Sequence, residues 1–563
     1  MNEFIIIIEE IVKKLFDKKI EPELSVPSEQ FGEYATNVAL VLAKELGEAP
    51  REIAQRIVDD FNSAPNAEAI FSIAGPGFIN IRLKDCNLAK NMNMFLKEPE
   101  KYGSSDVYKN KIVVTEFSDP NPFKVLHMGH FYTSVVGDAI SNLVEEAGGT
   151  VYRTNFGGDV GLHAAKTIWA VIQNIGGELP GELAKITKSE RADWLSRRYV
   201  EGNNSYEGNK TDKVEIIDIN KRLYKIIKDD DHKSDLAQIF WETRQWSYDY
   251  FDTFYAKIGM KFDKYYPESI GAEVGLEAVL SHPEVYTKSE GAIVFEGEKY
   301  GLHTRVFVNS EGLPTYETKD LGCDILKYED YHFDEQIIIT GNDIIEYMKV
   351  VLKSLEQFAP EVALATKHIT HGMLKLPGGV KQSSRLGNFV RAIDILDMVA
   401  KEQMKEQGKN DDSTILGAIK YAFLKNRIGP DVIFDPGTSV SMSGNSGPYL
   451  QYSLARAKSI LRKLSAEPDM QVSVEQDFDS FERSLAIKLL EYKDIISQAT
   501  NELMPHLVCL YLYELAQVFN RFYENDKVEG NPRQSLRTQL VYLYSVVMAR
   551  GLKLLGIPIM EKM

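Results

Sequence analysis

Two imidazoles, His127 and His130, stand three residues apart around Gly129, directly ahead of a helix-forming run at 131–147. The spacing has a chemical use. The first turn of a helix offers unpaired backbone N–H groups and the positive end of the helix dipole, and both attract phosphate oxygens. Imidazoles at that place add ring donors, and Gly129 carries no side chain to hold a nucleotide away. Upstream, Pro120 and Pro122 fix φ and end a β-rich run at 112–117. Downstream, Gly148-Gly149 stops the helix and a second strand-like run follows at 151–154. Strand, loop, helix, strand is the order of the first crossover in a nucleotide-binding parallel sheet.

The full stretch reads Glu116-Phe-Ser-Asp-Pro-Asn-Pro-Phe-Lys-Val-Leu-His-Met-Gly-His130. Its last four residues resemble the HIGH motif of class I aminoacyl-tRNA synthetases, and the upstream Glu-Phe-Ser-x-Pro-Asn-Pro-x-Lys resembles the arginyl-tRNA synthetase branch. The resemblance implies that His127, His130 and Gly129 meet the phosphate and ribose of ATP. A second stretch, Lys381-Gln-Ser-Ser-Arg-Leu-Gly-Asn388, follows Gly378-Gly379 and resembles the KMSKS loop. It implies nucleotide contacts from Lys381, Ser383, Ser384 and Arg385. Gln382 replaces the usual methionine, and Ser384 stands where the second lysine is common. Charge grows on the leaving pyrophosphate, so a cation is still needed there. Lys124, three residues before His127, is consistent with that compensation.

Tyr316 and Asp320 are four apart and share one face of a predicted helix. A guanidinium is best met by planar, bidentate acceptors. The resemblance implies that Glu116, Asn121, Tyr316 and Asp320 surround the substrate arginine; which acidic group takes which end stays open. Asn155 and Asp159 match the family at 153–161, whereas His163 stands where glutamine is usual. Ile344 and Ile345 also depart from the family, which often carries histidine or glutamine there.

These residues need elements to position them. With 563 residues, 44% hydrophobic and 26% charged, the chain has room for three or four ordinary globular domains. The expected fold is multidomain α/β. A small α+β domain covers 1–108, with helices at 4–16, 37–46 and 50–61 and strands at 70–73 and 78–83 joined by Gly75-Pro76-Gly77. A Rossmann-like catalytic domain covers 109–410. It carries an insertion at about 165–300 with helical stretches at 183–198, 213–227 and 234–258, and a second half starting near a strand at 301–308, with a buried strand at 337–340. An α-helical bundle covers 411–563, with helices at 415–425, 446–464, 481–499, 506–523 and 533–555.

By resemblance the first domain meets the elbow of tRNA, through Asn37 and Asn80, and the bundle meets the anticodon, through Tyr449, Tyr452 and Arg456. Net charge is −17 and weighs against nucleic-acid binding. A local basic face can override it, with candidates at Lys420, Lys425 and Arg427 and again at Arg456, Lys458, Arg462 and Lys463. Three scattered cysteines fit a reducing compartment and no cysteine-rich zinc site. No apolar run reaches the ~20 residues of a membrane span, and residues 1–16 read as a helix and not a signal peptide. The expectation is a cytoplasmic, monomeric arginine-activating ligase. Its partners are arginine, ATP with Mg²⁺ and tRNA-Arg; it needs no membrane and no tightly bound, protein-ligated metal. A sister synthetase for cysteine or glutamate, a small-molecule nucleotidyltransferase and a non-catalytic tRNA-binding relative are the competing readings.

Overall fold

The computed structural model describes residues 2–25, 27, 31–64, 68–378, 389–464, 471–473 and 475–562. Its centre is a five-stranded parallel sheet. β1 (Ile112–Glu116) leads through α1 (Met128–Glu146) to β2 (Thr150–Gly157). α2 (Leu162–Ile175) begins a long excursion that ends at β3 (Lys264–Pro267). α3 (Glu268–Ser281) and α4 (Tyr316–Tyr331) precede β4 (Glu335–Gly341), and β5 (Thr366–His371) forms the far edge. The order is β3-β2-β1-β4-β5, every pair parallel. The central strands are covered on both faces, so Val113, Val114, Ile337, Ile338 and Ile339 are buried in near-continuous runs. Strand order reverses between β1 and β4, and that is where a ligand crevice opens beyond the carboxyl ends. Glu116 ends β1 there, opposite Thr154 on one side and Ile338 on the other.

Several predicted elements move. α1 begins at Met128 and not at 131, because His127 caps it. The chain rejoins the parallel sheet at β3, inside the stretch read as insertion. The excursion itself is helical, with Arg191–Gly208, Lys210–Lys228 and Asp235–Lys257 packed on α2 around Ile168, Leu195, Leu223 and Phe240. The helix predicted over 183–198 is instead a short 3₁₀ turn, Pro180–Lys185, followed by the helix from Arg191. Of the run 301–308 only Arg305–Val308 is a strand. It belongs to a separate antiparallel sheet with Thr287–Ser289 and Ala292–Phe295.

α3 and α4 touch backbone to backbone. A Cβ on Gly275 would lie 1.9 Å from the Thr318 carbonyl oxygen, and one on Gly322 would lie 2.0 Å from that of Gly271. Only glycine permits this approach, and it sets Glu268 against Lys319 at the mouth of the crevice.

The amino-terminal part is a four-stranded antiparallel sheet in the order Leu24–Ser25, Tyr34–Thr36, Phe78–Leu83, Ala69–Ala74. Helices Asn2–Phe16, Val38–Leu46 and Pro50–Asn62 cover it over Ile8, Leu42, Ile53, Phe71 and Ile81. The carboxyl-terminal part is helical, and the helix predicted over 481–499 is two, Ser480–Leu490 and Tyr492–Glu502, meeting at Glu491. Buried Arg483 ties the two ends of the chain together. It donates to Glu33 (2.9 Å), to the Leu83 carbonyl (2.7 Å) and to Asp85. Lys420 is not part of a basic face: it is 2% exposed and donates to the Gly556 carbonyl (2.7 Å). Among the described residues no helix is long and apolar enough to cross a membrane.

Candidate active site

The loop between β1 and α1 holds three non-glycine residues in the left-handed region, Ser118 (φ 78°), Asp119 (φ 49°) and Phe123 (φ 70°). Such backbone persists only where the surroundings over-determine it, and here four bonds do so. Ser118 Oγ pairs with the Tyr255 hydroxyl (2.8 Å) and the Phe123 N–H donates to Ser247 Oγ (2.8 Å), both on the helix Asp235–Lys257. Asp119 Oδ1 accepts from the Phe156 N–H (2.9 Å), and Asn121 Oδ1 accepts from the Gly158 N–H (2.8 Å). With its oxygen so used, Asn121 turns its Nδ2 donors elsewhere.

The two histidines form a reciprocal cap on α1. His127 Nδ1 accepts from the N–H groups of Gly129 (3.1 Å) and His130 (3.3 Å), and His130 Nδ1 accepts from the His127 N–H (3.2 Å). The rings stack with centroids 3.6 Å apart. Burial, with the Lys124 ammonium adding to it, pushes His127 down to about 3. Burial also holds His130 well below the usual histidine range, with His127 and Lys124 contributing. Both rings are therefore neutral near pH 7. With each Nδ1 accepting, each proton sits on Nε2, which makes Nε2–H the donor available to a phosphate oxygen. Gly129 has a structural reason beyond nucleotide access: a Cβ there would sit 2.9 Å from His127 Cε1 and break the stack. Lys124 Nζ lies over the Tyr199 ring at 5.7 Å.

Lys381, Ser383, Ser384 and Arg385 lie outside the described residues. The chain that follows them is pinned to the histidine loop. The Met128 N–H donates to the Val390 carbonyl (2.9 Å), and the Ala392 N–H donates to the Leu126 carbonyl (2.8 Å). Phe389 packs edge-on against the His127 ring. On the other side, His371 at the end of β5 bonds Thr133 Oγ1 (2.8 Å), one turn beyond Gly129 on α1. Phe389–Ala392 and the histidine loop, more than 250 residues apart in sequence, thus meet at one crevice edge.

Across the crevice α4 presents a row of charges. Glu116 pairs with buried Lys327 (2.6 Å), which also pairs with Asp324 (2.7 Å). Burial alone would lower Lys327, but the two carboxylates outweigh it and hold it charged. Glu268 pairs with Lys319 (2.8 Å), Glu317 with Arg305 (3.0 Å) and Asp159 with Arg244 (2.7 Å). Asp320 is different. Its Oδ2 accepts from the Tyr347 hydroxyl (2.5 Å), and among the described residues no lysine or arginine forms a salt bridge with it. Burial first, and then the nearby Glu268, Glu116 and Asp324, raise it well above the usual carboxylate range despite that bond. Asp119 is raised as well, by burial and by Glu116. The crevice is a desolvated acidic pocket short of cations, beside neutral donors suited to phosphate. Tyr316 stands at its rim, its hydroxyl donating to His163 Nδ1 (3.4 Å), while His163 Nε2 donates to the Gly158 carbonyl (2.6 Å).

The family model for the class I (R) tRNA-synthetase catalytic domain matches residues 91–435. Those for the arginyl-tRNA synthetase N-terminal domain and the DALR anticodon-binding domain match 2–83 and 450–563. The chain is 31% identical over 570 residues to the arginine–tRNA ligase of Clostridium perfringens, covering 97% of each. The chain belongs to the arginyl-tRNA synthetase family. In fold it resembles the arginyl-tRNA synthetases of Thermus thermophilus (TM-score 0.76, 23% identity, all of both chains covered) and Plasmodium falciparum (TM-score 0.77, 20% identity, covering 100% of this chain and 99% of that one).

As an arginyl-tRNA synthetase family member the chain has its expected residues in several settings. Glu116, Asn121, Tyr316 and Asp320 do converge on one crevice, but Glu116 is already held by Lys327. Asn155 donates to the Phe117 carbonyl (3.2 Å), and Asp159 accepts from Ser269 as well as Arg244, so both brace the loops. In the amino-terminal sheet Asn80 is only 8% exposed, while Asn37 precedes the helix Val38–Leu46 without a side-chain capping bond. Tyr449, Tyr452 and Arg456 do share one surface. Arg456 lies over the rings of Tyr452 (4.8 Å) and Tyr523 (5.2 Å) and donates to Asn520, which in turn donates to the Tyr449 hydroxyl (2.7 Å). Asp119, Lys327, Tyr347 and His371 were not singled out from sequence. Their partners are remote in the chain, and the only local signal was the acidic Asp119 inside the first motif. In the bundle Asp479, Glu482 and Asp526 come within metal-ligating reach of one another, but Arg533 and Arg537 already pair with them.

Proposed function

We infer that the chain is an arginine–tRNA ligase, converting arginine and ATP to arginyl-adenylate and pyrophosphate and passing the arginyl group to the terminal adenosine of tRNA-Arg. The observation that carries the substrate is the half-buried carboxylate of Asp320, fixed by Tyr347 and lacking a salt-bridge cation among the described residues, in a pocket where most other carboxylates have one. A guanidinium supplies that cation with planar donors, and a site with buried unpaired acceptors rejects neutral analogues. Lysine offers a point charge in place of a fork.

In the first step the arginine carboxylate attacks the α-phosphorus of ATP, and the bond from that phosphorus to the bridging oxygen breaks. No protein nucleophile is required; alignment and charge stabilisation supply the rate. The Nε2–H groups of His127 and His130 donate to phosphate oxygens without carrying charge. Lys124 adds a cation on the same side, with Lys381, Ser383, Ser384 and Arg385 completing the grip from the second motif and Mg²⁺ arriving with the nucleotide. Asn121 Nδ2 is free to orient the attacking carboxylate. In the second step a hydroxyl of the terminal adenosine attacks the arginyl carbonyl and AMP leaves. Tyr449, Tyr452 and Arg456 present stacking faces to anticodon bases, and Asn37 and Asn80 belong to the sheet domain assigned to the tRNA elbow. Activity as a cytoplasmic monomer belongs to the same reading.

The test is arginine-dependent ATP–pyrophosphate exchange, with and without tRNA, with lysine, cysteine and glutamate as controls. Exchange with arginine alone, requiring tRNA, is the expected result. Exchange with another amino acid moves the chain to a sister activity. None with any amino acid, alongside tight tRNA binding, makes it a binding relative.

A further inference from the structure

The turn of α1 that follows the two histidines has one polar side-chain tie to the rest of the protein. Of the side chains at 131–134, Thr133 alone makes a hydrogen bond that leaves the helix, among the described residues. Ser134 Oγ turns back to the His130 carbonyl (2.7 Å), and the buried hydroxyl of Tyr132 makes no hydrogen bond. The partner of Thr133 is His371, 5% exposed, at the end of β5. The His371 ring stands edge-on to Tyr132, with centroids 4.7 Å apart. Its Nδ1 lies 2.8 Å from the Gly372 carbonyl oxygen, and its Nε2 lies 2.8 Å from Thr133 Oγ1. A carbonyl only accepts, so in the neutral ring Nδ1 carries the proton and Nε2 is left to accept from the Thr133 hydroxyl. Burial holds the ring below the usual histidine range, against the pull of the Gly372 carbonyl and Asp343, so it is neutral near pH 7. The Gly372 peptide is itself wedged in place: a Cβ there would lie 2.4 Å from the Asp431 nitrogen, and the next N–H, of Met373, donates to Asp431 Oδ1 (2.8 Å).

Thr133 has two acceptors in reach and one proton to give. Its Oγ1 also lies 3.0 Å from the Gly129 carbonyl oxygen, four residues back on the same helix. A threonine that donates backward in this way often bends its helix. Here the imidazole takes the proton instead. The turn at stake is the one that carries the site. His127 Nδ1 accepts from the N–H groups of Gly129 and His130, and His130 Nδ1 accepts from the His127 N–H. A tilt between 129 and 133 therefore moves both Nε2–H donors together. Resting on the ligase reading above, we propose that His371 is a positioning residue for the two phosphate-facing imidazoles: by accepting from Thr133 it holds the first turn of α1 straight and fixed to the end of β5. Histidine suits the post, because one ring donates at Nδ1 and accepts at Nε2. In this assignment it touches neither ATP nor arginine.

The test uses His371→Phe, His371→Gln and Thr133→Val in the full chain, assayed by tRNA-dependent ATP–pyrophosphate exchange. Phe keeps a ring against Tyr132 and removes the acceptor. Gln restores an acceptor at the reach of Nε2, and Val keeps the shape of Thr133 without its hydroxyl. His371→Phe should lower kcat about 10- to 100-fold, the order expected when oriented donors are misplaced. The KM values for arginine and ATP should stay within about threefold, because an interaction made in the transition state is lost from kcat. His371→Gln should stay within about fivefold of wild type, the scale of one neutral hydrogen bond. Thr133→Val should fall as far as His371→Phe, and the double variant no further than the lower single, since both changes remove one bond. A His371→Phe kcat within about threefold of wild type, a His371→Gln as impaired as His371→Phe, or losses that multiply in the double variant would each overturn the proposal. Should His371→Phe not fold, Thr133→Val decides alone, and a kcat within about threefold of wild type overturns it. A wild type that exchanges no amino acid would instead overturn the ligase reading, and this assignment with it.

Discussion

Replacing Asp320 with Asn isolates the charge on which the substrate reading depends. The variant keeps an oxygen for the Tyr347 hydroxyl, which now bonds Oδ2 at 2.5 Å. It replaces the other oxygen with an amide, a donor facing a guanidinium made only of donors. Removing one partner of a buried, hydrogen-bonded charge pair costs about 2–5 kcal/mol, and each ~1.4 kcal/mol is tenfold. The KM for arginine should therefore rise by about 30- to 3,000-fold in tRNA-dependent exchange. The KM for ATP should stay within about twofold, because the phosphate donors lie on the opposite wall. Stability should move the other way. The carboxyl is raised by burial and by Glu268, Glu116 and Asp324, so its ionised form burdens the ligand-free fold. A neutral Asn removes that burden, and the melting temperature without arginine should be unchanged or higher near pH 7. A KM within about threefold of wild type, or a clearly lower melting temperature, would refute the argument.

Asp119 and Asp320 are both held above the ordinary carboxylate range. A raised folded value means that the folded, ligand-free chain binds those protons more tightly than the unfolded chain. Its stability contribution is thus present at low pH and lost as pH rises through the raised values. On the arginine reading the guanidinium pairs with ionised Asp320, so arginine's affinity should rise with pH over that window and binding should release protons; calorimetry in two buffers of different ionisation enthalpy measures this, and no release in weak acid would contradict it. Gly129→Ala puts a Cβ 2.9 Å from His127 Cε1. It should lower kcat/KM for exchange about 10- to 100-fold, the order expected when two oriented donors are misplaced, with arginine binding nearly intact. Arg483→Met strands Glu33 and Asp85 at the join between the amino-terminal sheet and the bundle. It should cost about 3 kcal/mol, seen as faster proteolysis between residues 83 and 112 and weaker tRNA binding with unchanged arginine KM.

What the sequence alone determined is local. The strand–loop–helix order around His127 and His130 follows from prolines, a glycine stop and a 3.6-residue period within some forty residues. The amphipathic helices at 446–464, 506–523 and 533–555 were readable for the same reason. Tertiary structure decided the rest. β3 has four residues and Leu24–Ser25 has two, too few to show an alternation, so pairing partners define them. Lys420 looks like one cation on a helix surface, yet a second body covers that side, and no period within a helix reports what packs on its outer face. Glu116 reads as a free acceptor until folding brings Lys327 to it from 211 residues away. The substrate's place in the pocket rests on the same physics. Which carboxylate still needs a cation depends on every charge within reach, and that sum exists only once the chain has folded.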